Sequence, residues 1–288
     1  MKVAVYENKR WGHVVNSFAD GVRLFGHNVD VFKADDYAGP TDHDIVVTIE
    51  FGVNVRRIHR DQRAQGKVFV SIVDGYLKRI GPNRYYGVVR NGYFVNAEYK
   101  PVESAPSDRW NTLGLEIAPW RADGAHVLIA DQPVFELISE GGWMNHVLSV
   151  LHKITNRPIR YRTHPGHKNP DQWFEKCRRI WLESGGPDEQ LTFSPGNLSK
   201  LISDLKDAWA LVAYHSNSCV EAIVSGVPIF TGARSMADAV ANKDLLNIEN
   251  PSMPDRRRWC NWIAYQQYSE RDMVNGFPWK YLVEEWEK

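Results

Sequence analysis

The chain has 288 residues, 43% hydrophobic and 24% charged, with 35 basic residues against 35 acidic ones. That length and apolar content suit two ordinary domains, or one large α/β domain with a real core, and exclude a disordered or low-complexity chain. The formal net charge of zero excludes an overall field drawing the chain to nucleic acid or an anionic membrane.

In chain order, short apolar runs alternate with amphipathic stretches. Lys2–Tyr6 reads as a strand, and a helix is predicted over His13–Phe25, with Val14, Phe18, Val22 and Phe25 on one face. Gly26 stops it. Strands follow at Val29–Phe32, Ile45–Thr48 and Val68–Val73, with a basic helix over Val53–Ala64 between the last two. Tyr76–Trp110 lacks periodicity and is expected to form loops with a hairpin around Val88–Val95. Pro119 and Asp123-Gly124 mark a domain boundary.

A second alternating series begins there. Strands are predicted at Val127–Ala130, Ile159–Arg162, Leu191–Phe193, Leu211–Tyr214 and Pro228–Phe230. Helices are predicted at Trp143–Ile154, Gln172–Ser184, Leu198–Ala208 and Ser218–Ser225, and the chain after Pro254 reads as helical to its end, with Trp259, Trp262 and Ile263 on one side. Strands alternating with helices imply parallel sheets, so two Rossmann-like domains are expected, residues 1–123 and 124–254, with helices over 255–288 packing across them.

Cys177, Cys219 and Cys260 are odd in number and widely spaced, so neither a disulfide framework nor a cysteine metal site is expected. The N-terminus runs straight into a strand without an apolar leader, and no run approaches the roughly 18 apolar residues of a membrane span. A reduced, cytoplasmic protein is therefore expected. The eleven Trp are assigned mainly to packing, with sugar-facing aromatic surfaces as the alternative.

Three stretches carry candidate chemistry. In "WALVAYHSNSCVEAIVSGVPIFT" an apolar strand runs into a small polar loop, a short helix stopped by Gly226, and another strand. Ligands of open α/β sheets bind at the carboxyl ends of strands, where helix N-termini and hydroxyls suit phosphate. Ser216, Asn217 and Ser218 are the candidate phosphate ligands, and Glu221 is placed to meet a ribose. The same residues would also serve as an ordinary helix cap. In "RYRTHPGHK" His164 lies just past a strand end, with Arg162 nearby as a candidate nucleotide contact. A neutral imidazole N–H can bind a phosphate oxygen, and a simple turn histidine is the alternative. In "SIVDGYLKR" a strand delivers Asp74 to its carboxyl end before Gly75; a carboxylate there can take a proton from an attacking hydroxyl, or the pair is only a turn.

Together and in this order, the three stretches resemble the GT-B glycosyltransferases related to capsule polysaccharide Kdo transferases and bacterial sialyltransferases. "VLIADQP" at Val127–Pro133, which contains Gln132, resembles the strand opening the donor domain of the capsule enzymes. The resemblance implies two Rossmann-like domains facing a cleft, with C-terminal helices crossing back. It implies Asp74 as general base, and His164, Ser216 and Ser218 as donor-phosphate ligands. Gln132, Arg162 and Glu221 become candidate nucleotide contacts. The co-substrate would be a CMP- or UDP-linked sugar, with no other cofactor and no catalytic metal. Val73 stands where these families carry a second acid before the glycine.

Between Val53 and Gly92 nine basic residues face only Asp61 and Asp74, leaving that segment at +7 and the rest of the chain at −7. Arg56, Arg60, Lys78, Arg79 and Arg84 are therefore candidate contacts to an anionic acceptor. An anionic glycan is preferred over hydroxymethylated bases of phage DNA, and a solvated charged helix face is the plain alternative. A nucleotide-sugar epimerase and a non-catalytic binder of glycan or nucleic acid remain as rival functions. Oligomeric state is not readable from the sequence.

Overall fold

The computed structural model describes residues 1–49, 54–197 and 200–286. The chain divides into two compact units, residues 1–113 with 260–288 and residues 114–259. The boundaries expected at 123 and 254 thus lie at 113 and 259, and the segment from Cys260 packs within the first unit.

The first unit opens with β1 (Lys2–Glu7), α1 (Gly12–Arg23), β2 (Asn28–Lys33) and β3 (Ile45–Ile49). Helix α2 (Val55–Ala64), β4 (Val68–Asp74), β5 (Tyr85–Arg90) and α3 (Asp108–Leu113) follow. Val53, the predicted start of α2, lies outside the described residues. Strands β2, β1, β3 and β4 are parallel in that order. Val14, Val15, Phe18, Ala19 and Val22 of α1 are buried, as their spacing at three and four residues dictates. They join Val3, Val5, Val47 and Val70 of the sheet in one core.

The hairpin expected around Val88–Val95 lies elsewhere. Strand β5 ends at Arg90 and pairs antiparallel with β4, so the hairpin is β4–β5. Gly87 permits this approach, because a Cβ there would stand 2.6 Å from Val73 Cγ2. Phe94–Asn96 forms a 3-10 turn instead of a strand.

The second unit contains β6 (His126–Ala130), α4 (Trp143–Ile154), β7 (Ile159–Arg162), α5 (Pro170–Glu183) and β8 (Leu191–Ser194). Helix α6 (Leu201–Leu205), β9 (Ala208–Ala213), α7 (Ser218–Val224) and β10 (Ile229–Thr231) complete it. Leu198 and Ser199 of the predicted Leu198–Ala208 helix lie outside the described residues, and Ala208 belongs to β9. All five strands are parallel in the order β10-β9-β6-β7-β8. This is a doubly wound sheet whose connections leave in opposite directions from β6 and β9. Its core gathers Val127, Ile129, Met144, Leu148, Tyr161, Trp181 and Val212.

Helix α8 (Arg257–Ala264) leads back to the first unit, where Trp262 and Ile263 are buried. The chain is not helical from there to the end. Strand β11 (Gln267–Ser269) adds antiparallel to β5 as the sixth strand of the first sheet, followed by α9 (Glu270–Val274). Three residues are too few for periodicity to reveal a strand, and the unpaired edge of β5 supplies the partner.

Candidate active site

In the second unit β6 and β9 are hydrogen-bonded neighbours at the switch point of the sheet, where ligands of doubly wound folds bind. Gln132, just past β6, spans the two strand ends. The backbone N–H of His215 donates to Gln132 Oε1 at 3.0 Å, which fixes the orientation of the amide. The Gln132 Nε2 amide then lies 3.0 Å from His215 Nδ1. An amide N–H can only donate, so Nδ1 accepts, and the neutral imidazole carries its proton on Nε2. Among the described residues no side chain or backbone group bonds that Nε2. Gln132, expected to touch nucleotide, is thus engaged with a histidine that sequence reasoning did not assign.

The next residues form a self-bonded hydroxyl pair. Ser218 N donates to Ser216 Oγ at 3.3 Å, and Ser218 Oγ lies 2.9 Å from Ser216 Oγ. The hydroxyls share one hydrogen between them, so one O–H of the pair is left to donate outward. Asn217 is the N-cap residue of α7 and makes no side-chain cap bond. Glu221 occupies the first turn of α7. Gly226 closes the segment at φ 78°, where a Cβ would stand 2.1 Å from Pro119 O.

The loop after β7 holds two histidines. Gly166 N donates to His164 Nδ1 at 2.9 Å, so this imidazole too, when neutral, carries its proton on Nε2. His167 N donates to His164 O, and His167 Nε2 lies 2.7 Å from Asp131 Oδ2. Asp131 is buried to 2% exposure, and the His167 ring packs on Trp173 at 4.3 Å. Burial pushes the Asp131 carboxyl above the ordinary range, while the His167 contact pulls the other way. Gly196 lets the loop after β8 approach, since a Cβ there would meet Thr163 O at 1.9 Å.

Arg162, expected at the nucleotide, has another place. Its side chain is buried on β7, with Nε 3.0 Å from Asp204 Oδ2 and NH2 donating to Asn197 O. Ser194 Oγ donates to the same Asp204 carboxylate. A buried guanidinium needs such partners, and Asp204 and the Asn197 carbonyl supply them.

Asp74 and the basic segment belong to the first unit. Asp74 closes β4, and Arg84 NH2 donates to its Oδ1 at 2.7 Å. The Arg84 guanidinium also lies over the Trp11 and Tyr86 rings at 4.9 and 4.7 Å. Arg84 is therefore the partner of Asp74. Gly75 permits the turn, because a Cβ would meet Tyr85 O at 2.3 Å. The backbone N–H groups of Tyr76 and Leu77 both donate to Gln267 Oε1, at 2.9 and 2.8 Å, so β11 anchors the loop that follows Asp74.

The cations of the +7 segment are largely engaged within the unit. Arg57 lies over Tyr37, Arg63 over Phe69 and Arg90 over Trp286, and Lys67 Nζ donates to the Thr41 and His43 carbonyls. Arg60 bonds Asp61 while its side chain stays 73% exposed. Arg56 and Lys78 are exposed, and Arg79 is half-buried. Lys78 takes φ 50°, a left-handed turn position. Among the described residues no helix is long and apolar enough to cross a membrane, and no group of three or more His, Cys, Asp or Glu is placed to hold a metal ion.

No family model and no curated protein matches the chain. Solved structures do match its fold. The β-Kdo 2,4 transferase of Thermosulfurimonas dismutans KpsC aligns at TM-score 0.55 and 11% identity, over 96% of this chain and 98% of that one. The β-Kdo 2,7 transferase of Thermosulfurimonas dismutans KpsC aligns at 0.52 and 10% identity, again over 96% and 98%. At such identities the likeness is one of fold. The chain has a GT-B-type fold of two Rossmann-like α/β units, the first completed by the C-terminal segment.

Proposed function

We propose that the chain is a glycosyltransferase that moves a sugar from a CMP- or UDP-linked donor to a hydroxyl of an anionic glycan. The observation carrying this reading is the arrangement of donors at the ends of β6, β7 and β9. Protein groups occupy Nδ1 of both His164 and His215 and take up the Ser216–Ser218 pair. With Nδ1 taken up, the neutral tautomer of His215 carries an N–H on Nε2, next to the O–H of the serine pair. Such donors, held before the reaction begins, stabilise charge that develops on a phosphate as its bond to the sugar breaks.

In the proposed step the acceptor oxygen bonds to the anomeric carbon. The bond from that carbon to the phosphate oxygen breaks, and its electron pair leaves with the nucleotide. The acceptor hydroxyl's proton goes to Asp74, whose carboxylate Arg84 orients. Glu221 is retained as the ribose contact. Arg56, Arg60, Lys78 and Arg79 are retained as acceptor contacts. The engagement of Lys67 and Arg90 with neighbouring carbonyls and a ring shortens the row of free cations, which favours a glycan bearing a few charges over a DNA backbone that calls for a row of phosphate contacts.

The test is a screen of CMP- and UDP-linked sugars with and without anionic oligosaccharides, reading the nucleotide and sugar products. The reading requires nucleotide release that depends on an acceptor and survives EDTA. A rearranged sugar without acceptor would make the chain an epimerase. A ligand-induced melting shift with no turnover would make it a binder.

A further inference from the structure

We propose that His215 is a third donor to the leaving nucleotide phosphate, beside His164 and Ser216, and that Gln132 is the positioning residue that keeps its proton on Nε2. The inference rests on the reading of this strand end as a nucleotide site. His215 stands between Tyr214, just past the end of β9, and the Ser216–Ser218 pair. Its ring lies 5.2 Å from that of Tyr214, and its Nδ1 and backbone N are both tied to Gln132. One side-chain amide thereby satisfies two polar groups of the histidine and joins the two strands that flank the switch point. The two contacts are mutually constraining. The backbone N–H must donate, so Oε1 must face it, so Nε2 must face the ring. The imidazole is left with one hydrogen-bonding position, Nε2, which no group among the described residues bonds. A packing histidine would need no amide devoted to choosing its tautomer.

Gln132→Glu reverses the choice with the same shape. Its carboxylate still accepts from His215 N, but the second oxygen facing Nδ1 can only accept, which draws the ring proton to Nδ1. Above the ordinary imidazole range, at about pH 8.5, Nε2 then presents a lone pair to the phosphate.

Two measurements on the full chain test this. Long-range 15N–1H spectra should show His215 protonated on Nε2 in the wild type and on Nδ1 in Gln132→Glu. Calorimetry with CMP and with UDP should show the better-bound nucleotide weakened about tenfold or more by His215→Phe and by Gln132→Glu, as loss of a hydrogen bond to a charged oxygen implies. His215→Gln, whose amide keeps a donor near the Nε2 position, should recover part of the affinity. Wild-type His215 protonated on Nδ1 overturns the role of Gln132. Unchanged affinity in His215→Phe overturns the role of His215. Binding of neither nucleotide by the wild type overturns the nucleotide-site reading itself, and this inference with it.

Discussion

Arg84 holds Asp74 at 2.7 Å while its guanidinium is stacked on Trp11 and Tyr86. The contact lies at the end of β4, with the Asp74 side chain 46% exposed and that of Arg84 22% exposed. A carboxylate so placed is oriented by one neighbour and still open on its other side. The basic residue that sequence alone offered to an acceptor is the one that aims the proposed base.

Asp74→Asn removes the proton acceptor and should lower turnover by about a hundredfold or more while leaving nucleotide affinity unchanged. Arg84→Met should lower turnover less, because Asp74 remains but loses its fixed orientation. Its cost in stability should stay within about 1 kcal/mol, as for other partly exposed ion pairs. Steady-state kinetics paired with thermal melts separate the two effects. Equal loss of nucleotide binding in Asp74→Asn would remove it from the role of base.

Gly75→Ala tests the geometry of the same turn. Its Cβ would stand 2.3 Å from Tyr85 O, a backbone atom that cannot rotate away. The β4–β5 hairpin must shift, at an expected cost of about 1–3 kcal/mol, measurable as a lower denaturant midpoint. A midpoint equal to wild type contradicts the close approach.

His59 gives the protein a predicted acid sensitivity. It is buried between Phe69 and Tyr93, bonded to Thr48 Oγ1 at 2.5 Å. Burial lowers its pKa from 6.5 to about 3, so the folded state keeps it neutral where the unfolded chain binds a proton. Stability tied to that neutrality is present above 6.5 and is lost as pH falls toward about 3. His59→Gln should flatten stability against pH through that window, by an amount on the order of a few kcal/mol. Parallel curves for the two proteins would contradict it.

Asp131 works with the opposite sign. Burial raises its pKa, so the folded state favours the protonated carboxyl. Stability from this group is greatest below the ordinary aspartate range and declines as pH climbs through the raised value. Asp131→Asn keeps an oxygen for His167 and removes the charge. It should melt higher than wild type near neutral pH, with a smaller difference in acid. A lower melting point at every pH would make the ionised pair a net stabiliser.

The parallel strands of both sheets were legible in the sequence because apolar runs and helical spacing report burial directly. Lys2–Tyr6, Ile45–Thr48 and Trp143–Ile154 are each within a residue of the observed bounds. Strand β11 was not legible, since Gln266 and Gln267 look polar and are buried only because β5 and the loop after Asp74 need their bonds. The partner of Arg162 was not legible either, since Asp204 lies 42 residues along the chain and meets it only in the fold. The place of His215 was not legible because its side-chain partner, Gln132, lies 83 residues earlier in the chain.

The proposed role of the ends of β6, β7 and β9 is to hold a nucleotide's phosphate. It is tested most directly by calorimetric titration of CMP and UDP into the wild type, His164→Ala and Ser216→Ala. Binding of one nucleotide by the wild type, weakened about tenfold in each variant without loss of fold, is the expected result. Unchanged binding in both variants contradicts a phosphate site at these strand ends.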